Sequence, residues 1–334
     1  MSEKKKIYTP PFTITAETVN LVAEISALLE RFAIRLEQAD GLKLRKVNRM
    51  KTIRGSLAIE GNSLSEEQVT ALIEGKHVVA PIKEIQEVRN AILAYEQFPN
   101  LDPFSVKDLL KAHGIMALGL VDNPGNFRRG GVGVMGRSGI SHVAPPAHMV
   151  SGLISDLFEW LKNAEDHILI KSSVFHYEFE FIHPFEDGNG RMGRFWQSRL
   201  LAEWNPVFAH LPIENMIWEN QAGYYKAIEQ STDDADSGVF VEFMLKIIAD
   251  TIKRLRFADK TALNVGVNVG VNVGVNEVKI LDLIRENPEI SAKTAAEHLN
   301  ISQRQAERIF SALKEKGLIK RIGADKNGHW EILD

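Results

Sequence analysis

The 334-residue chain contains no cysteine. This excludes a disulfide framework and thiolate chemistry, and it suits a reducing compartment. A surplus of one charge is also missing. Forty Lys and Arg face 44 Asp and Glu, a net of −4, so there is no general attraction to nucleic acid or anionic lipid. No apolar run is long enough to span a bilayer, and none follows the basic start Met1-Ser2-Glu3-Lys4-Lys5-Lys6. The expectation is a cytoplasmic protein with no membrane partner. Apolar residues make up 44% and charged residues 25%, the balance of a globular protein. The length suits two domains, or three.

What is present concentrates between His183 and Arg194, read as H-P-F-E-D-G-N-G-R-M-G-R. Phe195, Trp196, Leu200 and Leu201 follow at helical spacing, so a loop becomes a helix here. Gly188, Asn189 and Gly190 let backbone N–H groups close around oxygens, and a helix N-terminus favours negative charge. Arg191 and Arg194 can pair with phosphate oxygens through parallel N–H bonds. Asp187 can hold a hard cation such as Mg²⁺ between phosphates. An imidazole such as His183 suits general-base work near neutral pH. The stretch reads as a polyphosphate site with a proton acceptor beside it.

A second motif is Ser56-Leu57-Ala58-Ile59-Glu60-Gly61-Asn62. Ser56 and Glu60 lie four apart, on one face of a helix that Gly61 can close. Taken alone it reads equally well as a helix C-cap with an exposed glutamate.

Around these motifs the apolar spacing is mostly helical. Helices are expected over about 16–40, 66–74, 84–98, 105–118, 147–163, 167–182 and 239–257. Glycine-rich residues 126–146 break the spacing. Val132–Met135 and Ile140–Val143 flank Gly136-Arg137-Ser138-Gly139, so a β-hairpin is expected. Residues 264–276 repeat N-V-G-V, a linker by position and a strand by composition. Residues 277–334 read as three helices, Glu277–Glu286, Ser291–Leu299 and Ser302–Lys316. Strands Leu318–Ile322 and His329–Leu333 follow around an Asp325-Lys326-Asn327-Gly328 turn. The lone histidines His113 and His176 read as structural.

The first motif resembles the signature of the Fic family, H-x-F-x-[D/E]-G-N-G-R-x-x-R. The second resembles the family's inhibitory motif, [S/T]-x-x-x-E-[G/A]-N. The resemblance implies a mainly α fold: a Fic helical bundle with a β-hairpin flap. The C-terminal segment resembles a small α/β winged helix-turn-helix. The implied domains are a helical region 1–98 with an inhibitory helix at about 46–62, a core 99–258, a linker 259–276 and a winged helix 277–334.

The implied reaction moves AMP from ATP to a protein hydroxyl and releases pyrophosphate. His183 would be the base and Asp187 the Mg²⁺ ligand. Gly188, Asn189 and Gly190 would cradle phosphates that Arg191 and Arg194 grip, and Phe185 would anchor the loop. Ser56, Glu60 and Asn62 would form the inhibitory motif, in which Glu60 would pair with Arg194 and occupy the γ-phosphate position. The flap residues Ile140, Ser141, His142 and Val143 would align an unknown target protein by strand pairing. Tyr224 and Tyr225 would lie near base and ribose, or pack in the core. Thr232 stands where some relatives have an asparagine.

Other transfer activities, AMP removal, and a DNA-bound regulator with a nucleotide-sensing core stand as alternatives. The C-terminal segment has ten Lys/Arg and ten Asp/Glu, which favours DNA no more than a protein partner. A homo-oligomer stays open.

Overall fold

The computed structural model describes residues 8–36, 41–136, 139–264, 280–281, 283–285, 287–299, 301–315, 318–323 and 328–332. For 133–136 and 139–143 it describes the backbone alone. The chain forms two compact units, one through Arg254 and one from Leu255. The first holds both the expected N-terminal region and the expected core.

In the first unit the helices are α1 (Ala16–Leu36), α2 (Gly41–Ile59), α3 (Glu66–Ile73), α4 (Ile82–Gln97), α5 (Val106–Met116), α6 (Ala147–Asn163), α7 (Ile168–Ile182), α8 (Asn189–Trp204), α9 (Ile213–Glu219) and α10 (Gln221–Asp234), followed by α11 (Gly238–Asn264), which starts in this unit and continues past Arg254. The last helix runs beyond the expected Phe257, so residues 259–264 of the expected linker are helical. The rest of the N-V-G-V repeat lies outside the described residues.

Helix α7 is buried on almost every side, from Leu169 to Ile182. A helix apolar all round belongs in the centre of a bundle, and α7 packs along α8 there. Phe175, Phe179, Phe185, Phe195 and Trp196 are fully buried, each worth about 1.5–3 kcal/mol of transfer from water. The loop between α7 and α8, residues 183–188, is the signature stretch. The central pair of helices therefore fixes both of its ends.

Helix α2 ends in a Schellman motif. Asn62 N–H donates to Leu57 O at 3.1 Å and Gly61 N–H to Ala58 O at 3.1 Å. Gly61 has φ 91°, a left-handed value that favours glycine. Midway along α2, Gly55 meets α9 backbone to backbone: a Cβ there would stand 2.5 Å from Asn215 Cα. Helix α3 opens with the capping box of Ser65 and Gln68.

Strands β1 (Gly133–Gly136) and β2 (Gly139–Val143) form the expected hairpin, one residue displaced at its ends. It is antiparallel, pairing Gly133 with Val143, Val134 with His142 and Met135 with Ile140. The register shifts between Val134 and Met135, leaving Ser141 of β2 as the extra residue of a bulge. Arg137 and Ser138 of the tip lie outside the described residues.

In the second unit, residues 280, 281 and 283–285 are helical. Then come α12 (Ala292–Leu299), α13 (Gln303–Glu315), β3 (Ile319–Ile322) and β4 (His329–Ile332). Ser302 and Gln305 form a capping box at α13. Ile280, Ile284, Ala295, Ala306, Phe310 and Leu313 make the core. The small α/β unit has the expected winged-helix order, and residues 324–327 of its turn lie outside the described residues.

Candidate active site

His183 ends α7 in the left-handed conformation, φ 49° and ψ 61°. Such backbone costs a non-glycine residue on the order of 1–3 kcal/mol and persists only where neighbours over-determine it. The neighbour here is Arg128. Its Nε donates to His183 O at 2.7 Å, and its Nη2 to Ile182 O at 3.2 Å and Pro145 O at 2.6 Å. Its Nη1 donates to Gly130 O at 2.8 Å, and its backbone N–H to Pro184 O at 3.0 Å. One buried guanidinium thus ties both ends of the hairpin segment, Gly130 and Pro145, to the carbonyl of His183. Arg128 lies in the glycine-rich stretch 126–146, but its reach to His183 has no sequence signal.

The rest of the loop is held from inside. Phe185 is fully buried and stacks on His113 with centroids 3.7 Å apart. Asn189 spends its amide on Phe185: Oδ1 accepts from Phe185 N–H at 2.8 Å, and Nδ2 donates to Phe185 O at 3.0 Å. His113 Nδ1 accepts from Gly125 N–H at 2.9 Å. That leaves Nε2 to carry the proton and donate to Asp187 O at 3.1 Å. Burial lowers the His113 pKa to about 4, keeping the ring neutral. His113 thus braces the loop through Asp187, a function its lone position on α5 did not reveal.

Gly188, φ 84°, precedes α8. Asn189, Gly190 and Arg191 open the helix, where N–H groups have no intrahelical acceptor. The macrodipole adds partial positive charge there. Two arginines stand over this turn. Arg191 Nη2 lies 3.3 Å from Asp187 Oδ1, and its Nη1 4.0 Å from Glu87 Oε1. Arg191 Nε and Nη1 are buried without a hydrogen-bond partner. Asp187 itself is half exposed.

Arg194 is buried to 1% side-chain exposure and its Nη2 meets Glu60 Oε1 at 2.7 Å. Burial opposes its charge, but Glu60, Tyr224 and Glu180 together outweigh that and raise its pKa. Ser56 holds the same guanidinium, with Oγ 3.3 Å from Nε and O 3.0 Å from Nη2. Glu60 Oε1 lies against Gly190, where an added Cβ would collide with it. Its carboxylate therefore stands over the first turn of α8. Asn62 does not reach Arg194. It donates to Glu84 O at 3.2 Å and Glu87 Oε2 at 2.9 Å, tying the end of α2 to α4.

The two tyrosines part company. Tyr224 is 1% exposed and its hydroxyl meets His176 Nε2 at 3.0 Å. Its ring and hydroxyl are both engaged in the core. Tyr225 is half-buried; burial first, then Glu60's charge, raises its phenol pKa. Thr232 Oγ1 is engaged with Tyr177 at 3.1 Å. His176 is the satisfied core histidine expected, with Gln197 Oε1 2.6 Å from Nδ1.

Residues 103–201 match the model of the Fic/DOC family. Residues 276–320 match a winged helix-turn-helix DNA-binding model. The crystal structure of a Fic family protein from Desulfovibrio desulfuricans G20 is similar at 40% identity and a TM-score of 0.74, with 97% of this chain and 98% of that chain covered. The chain belongs to the Fic family. A protein adenylyltransferase Fic of Culex quinquefasciatus is 34% identical over 216 residues, 60% of this chain and 39% of that relative. The present Fic protein thus spans about two-fifths of that relative's length. Fic-1 (residues 134–508) from Caenorhabditis elegans shares the fold at 22% identity and a TM-score of 0.59, with 74% of each chain covered.

Proposed function

We propose that this protein is a self-inhibited adenylyltransferase that moves AMP from ATP to a hydroxyl of a target protein, or of itself. The observation that carries the reading is Glu60. A carboxylate lies over the first turn of α8 and pairs with a buried arginine. That is where helix N–H groups and two guanidiniums favour an anion.

In the proposed step the target oxygen attacks the α-phosphorus of ATP. The new P–O bond forms as the bond to the β-phosphate bridging oxygen breaks, and pyrophosphate leaves. His183 accepts the hydroxyl proton. Phosphoryl-type transfer needs chiefly positioning and charge stabilisation. The N–H groups opening α8 supply part of that, and Arg191 and Arg194 the rest. Nε and Nη1 of Arg191, which make no hydrogen bond, suit a phosphate.

Among the described residues no group of three or more His, Asp or Glu side chains could hold a metal alone. Mg²⁺ needs only one or two carboxylates beside substrate phosphates, so half-exposed Asp187 fits it. When bound, the ion neutralises developing phosphate charge.

In the resting protein Glu60 removes Arg194 from the γ-phosphate and adds a negative charge beside it. The hairpin, with β2 as its described second strand, offers a strand edge for a target segment. The N-terminal helices carry the brake within the same chain. The neutral winged-helix unit suits docking to a protein no less than to DNA.

Incubating the Glu60→Gly variant with isotopically labelled ATP and cell lysate, then mass spectrometry, tests the reading. AMP on protein hydroxyls is expected. Labelled ATP turnover without any AMP-modified protein would overturn it.

A further inference from the structure

A cavity of about 350 Å³ opens among α2, α8, α9 and the turn at 206–210. That volume is in the range of small-molecule sites. Phe98 and Phe208 give it apolar walls, and Arg45, Lys46 and Arg49 line it from α2. Glu214 also lines it and is 1% exposed. Its Oε1 accepts from Ser198 Oγ at 2.8 Å and from Tyr95 OH at 3.0 Å. Its Oε2 is buried with no hydrogen-bond partner. Burial pushes the Glu214 carboxyl up.

Lys46 meets Glu74 at 3.2 Å and Arg49 meets Glu96 at 3.6 Å, both exposed pairs. Such exposed pairs hold weakly against a competing anion. Arg49 Nε is buried and unpartnered.

We propose that this cavity binds a small organic anion with an apolar body against Phe98 and Phe208 and its charged end at Lys46 and Arg49. The site stands on geometry and does not depend on the proposed transfer. Its position gives it reach. Thr52 lines it one turn before Ser56 on α2, and Ser198 lines it one turn after Arg194 on α8. An occupant touches both helices that meet at the Glu60–Arg194 pair.

The test uses the full chain and the arylsulfonate 8-anilinonaphthalene-1-sulfonate as probe. Titration by fluorescence and calorimetry compares wild type with Ala209→Trp and Arg49→Glu. Ala209 is an exposed lining residue, so tryptophan there fills the mouth from outside. One saturable site is expected in wild type and a tenfold or greater loss of affinity in each variant. Amide exchange over residues 49–56 should slow on binding in wild type only. Absence of a saturable site, or equal affinity in both variants, overturns the proposal. Should Ala209→Trp fail to fold by circular dichroism, Arg49→Glu decides alone, because that side chain is 41% exposed.

Discussion

Glu60 Oε1 lies 2.7 Å from Arg194 Nη2, across 134 positions of sequence. A carboxylate at the C-terminal end of α2 faces the unfavourable end of that helix's dipole. Arg194 and the N-terminal turn of α8 outweigh this. The contact is asymmetric: the arginine is almost wholly buried, while Glu60 is 39% exposed. Losing Glu60 therefore still leaves Arg194 its two bonds to Ser56.

His183→Ala should abolish AMP transfer while ATP still binds. The side chain is assigned to the target's proton and not to phosphate. Labelled-ATP transfer and equilibrium binding check the two halves separately; transfer near the wild-type rate would contradict the assignment.

Arg128→Lys should lower kcat with little change in KM for ATP. Lysine has three donors on a compact head and no planar fork, so it cannot serve His183, Ile182, Gly130 and Pro145 together. A small misplacement of a reacting group can lower rate about 100-fold, and roughly 10- to 100-fold is expected here. Steady-state kinetics in the Glu60→Gly background reads it; an unchanged kcat would show that Arg128 does not set the position of His183.

Asp187→Ala should lose the response of transfer to added Mg²⁺. A titration of rate against metal concentration shows this directly. A variant with the wild-type metal curve would remove Asp187 from that role.

His113 links stability to pH. Its folded pKa of about 4 lies below the ordinary 6.5, so the unfolded chain binds the extra proton between those values. The stabilisation is complete above pH 6.5 and is lost as pH falls toward 4. At roughly 1.4 kcal/mol per pH unit, about 3 kcal/mol is at stake. Urea unfolding of wild type and His113→Gln should show the gap between them shrinking by that order over this window. Glu178, whose pKa burial raises to about 7, acts oppositely in both proteins and cancels in the difference. A pH-independent gap would mean His113 is not held neutral.

The helical bundle and the winged-helix order were legible because apolar spacing, Ser65 and Ser302 caps and Gly61 all act locally. The signature and inhibitory motifs were legible as residue strings, and their meeting at Glu60 and Arg194 followed from resemblance. What was not legible depends on long-range packing. Tyr224 and Tyr225 look alike in sequence, yet only the structure turns one hydroxyl onto His176. His113 and Arg128 work on backbone carbonyls, which carry no residue code. The end of α11 passed Phe257 because nothing in Ala258 to Asn264 stops a helix.

The most direct measurement is AMP transfer by four proteins at one ATP concentration: wild type, Glu60→Gly, Arg194→Ala and the double variant. Glu60→Gly should be at least tenfold faster than wild type, and the double variant should fall back to the Arg194→Ala rate. Equal rates for Glu60→Gly and wild type, or a double variant as fast as Glu60→Gly, would contradict inhibition through this pair.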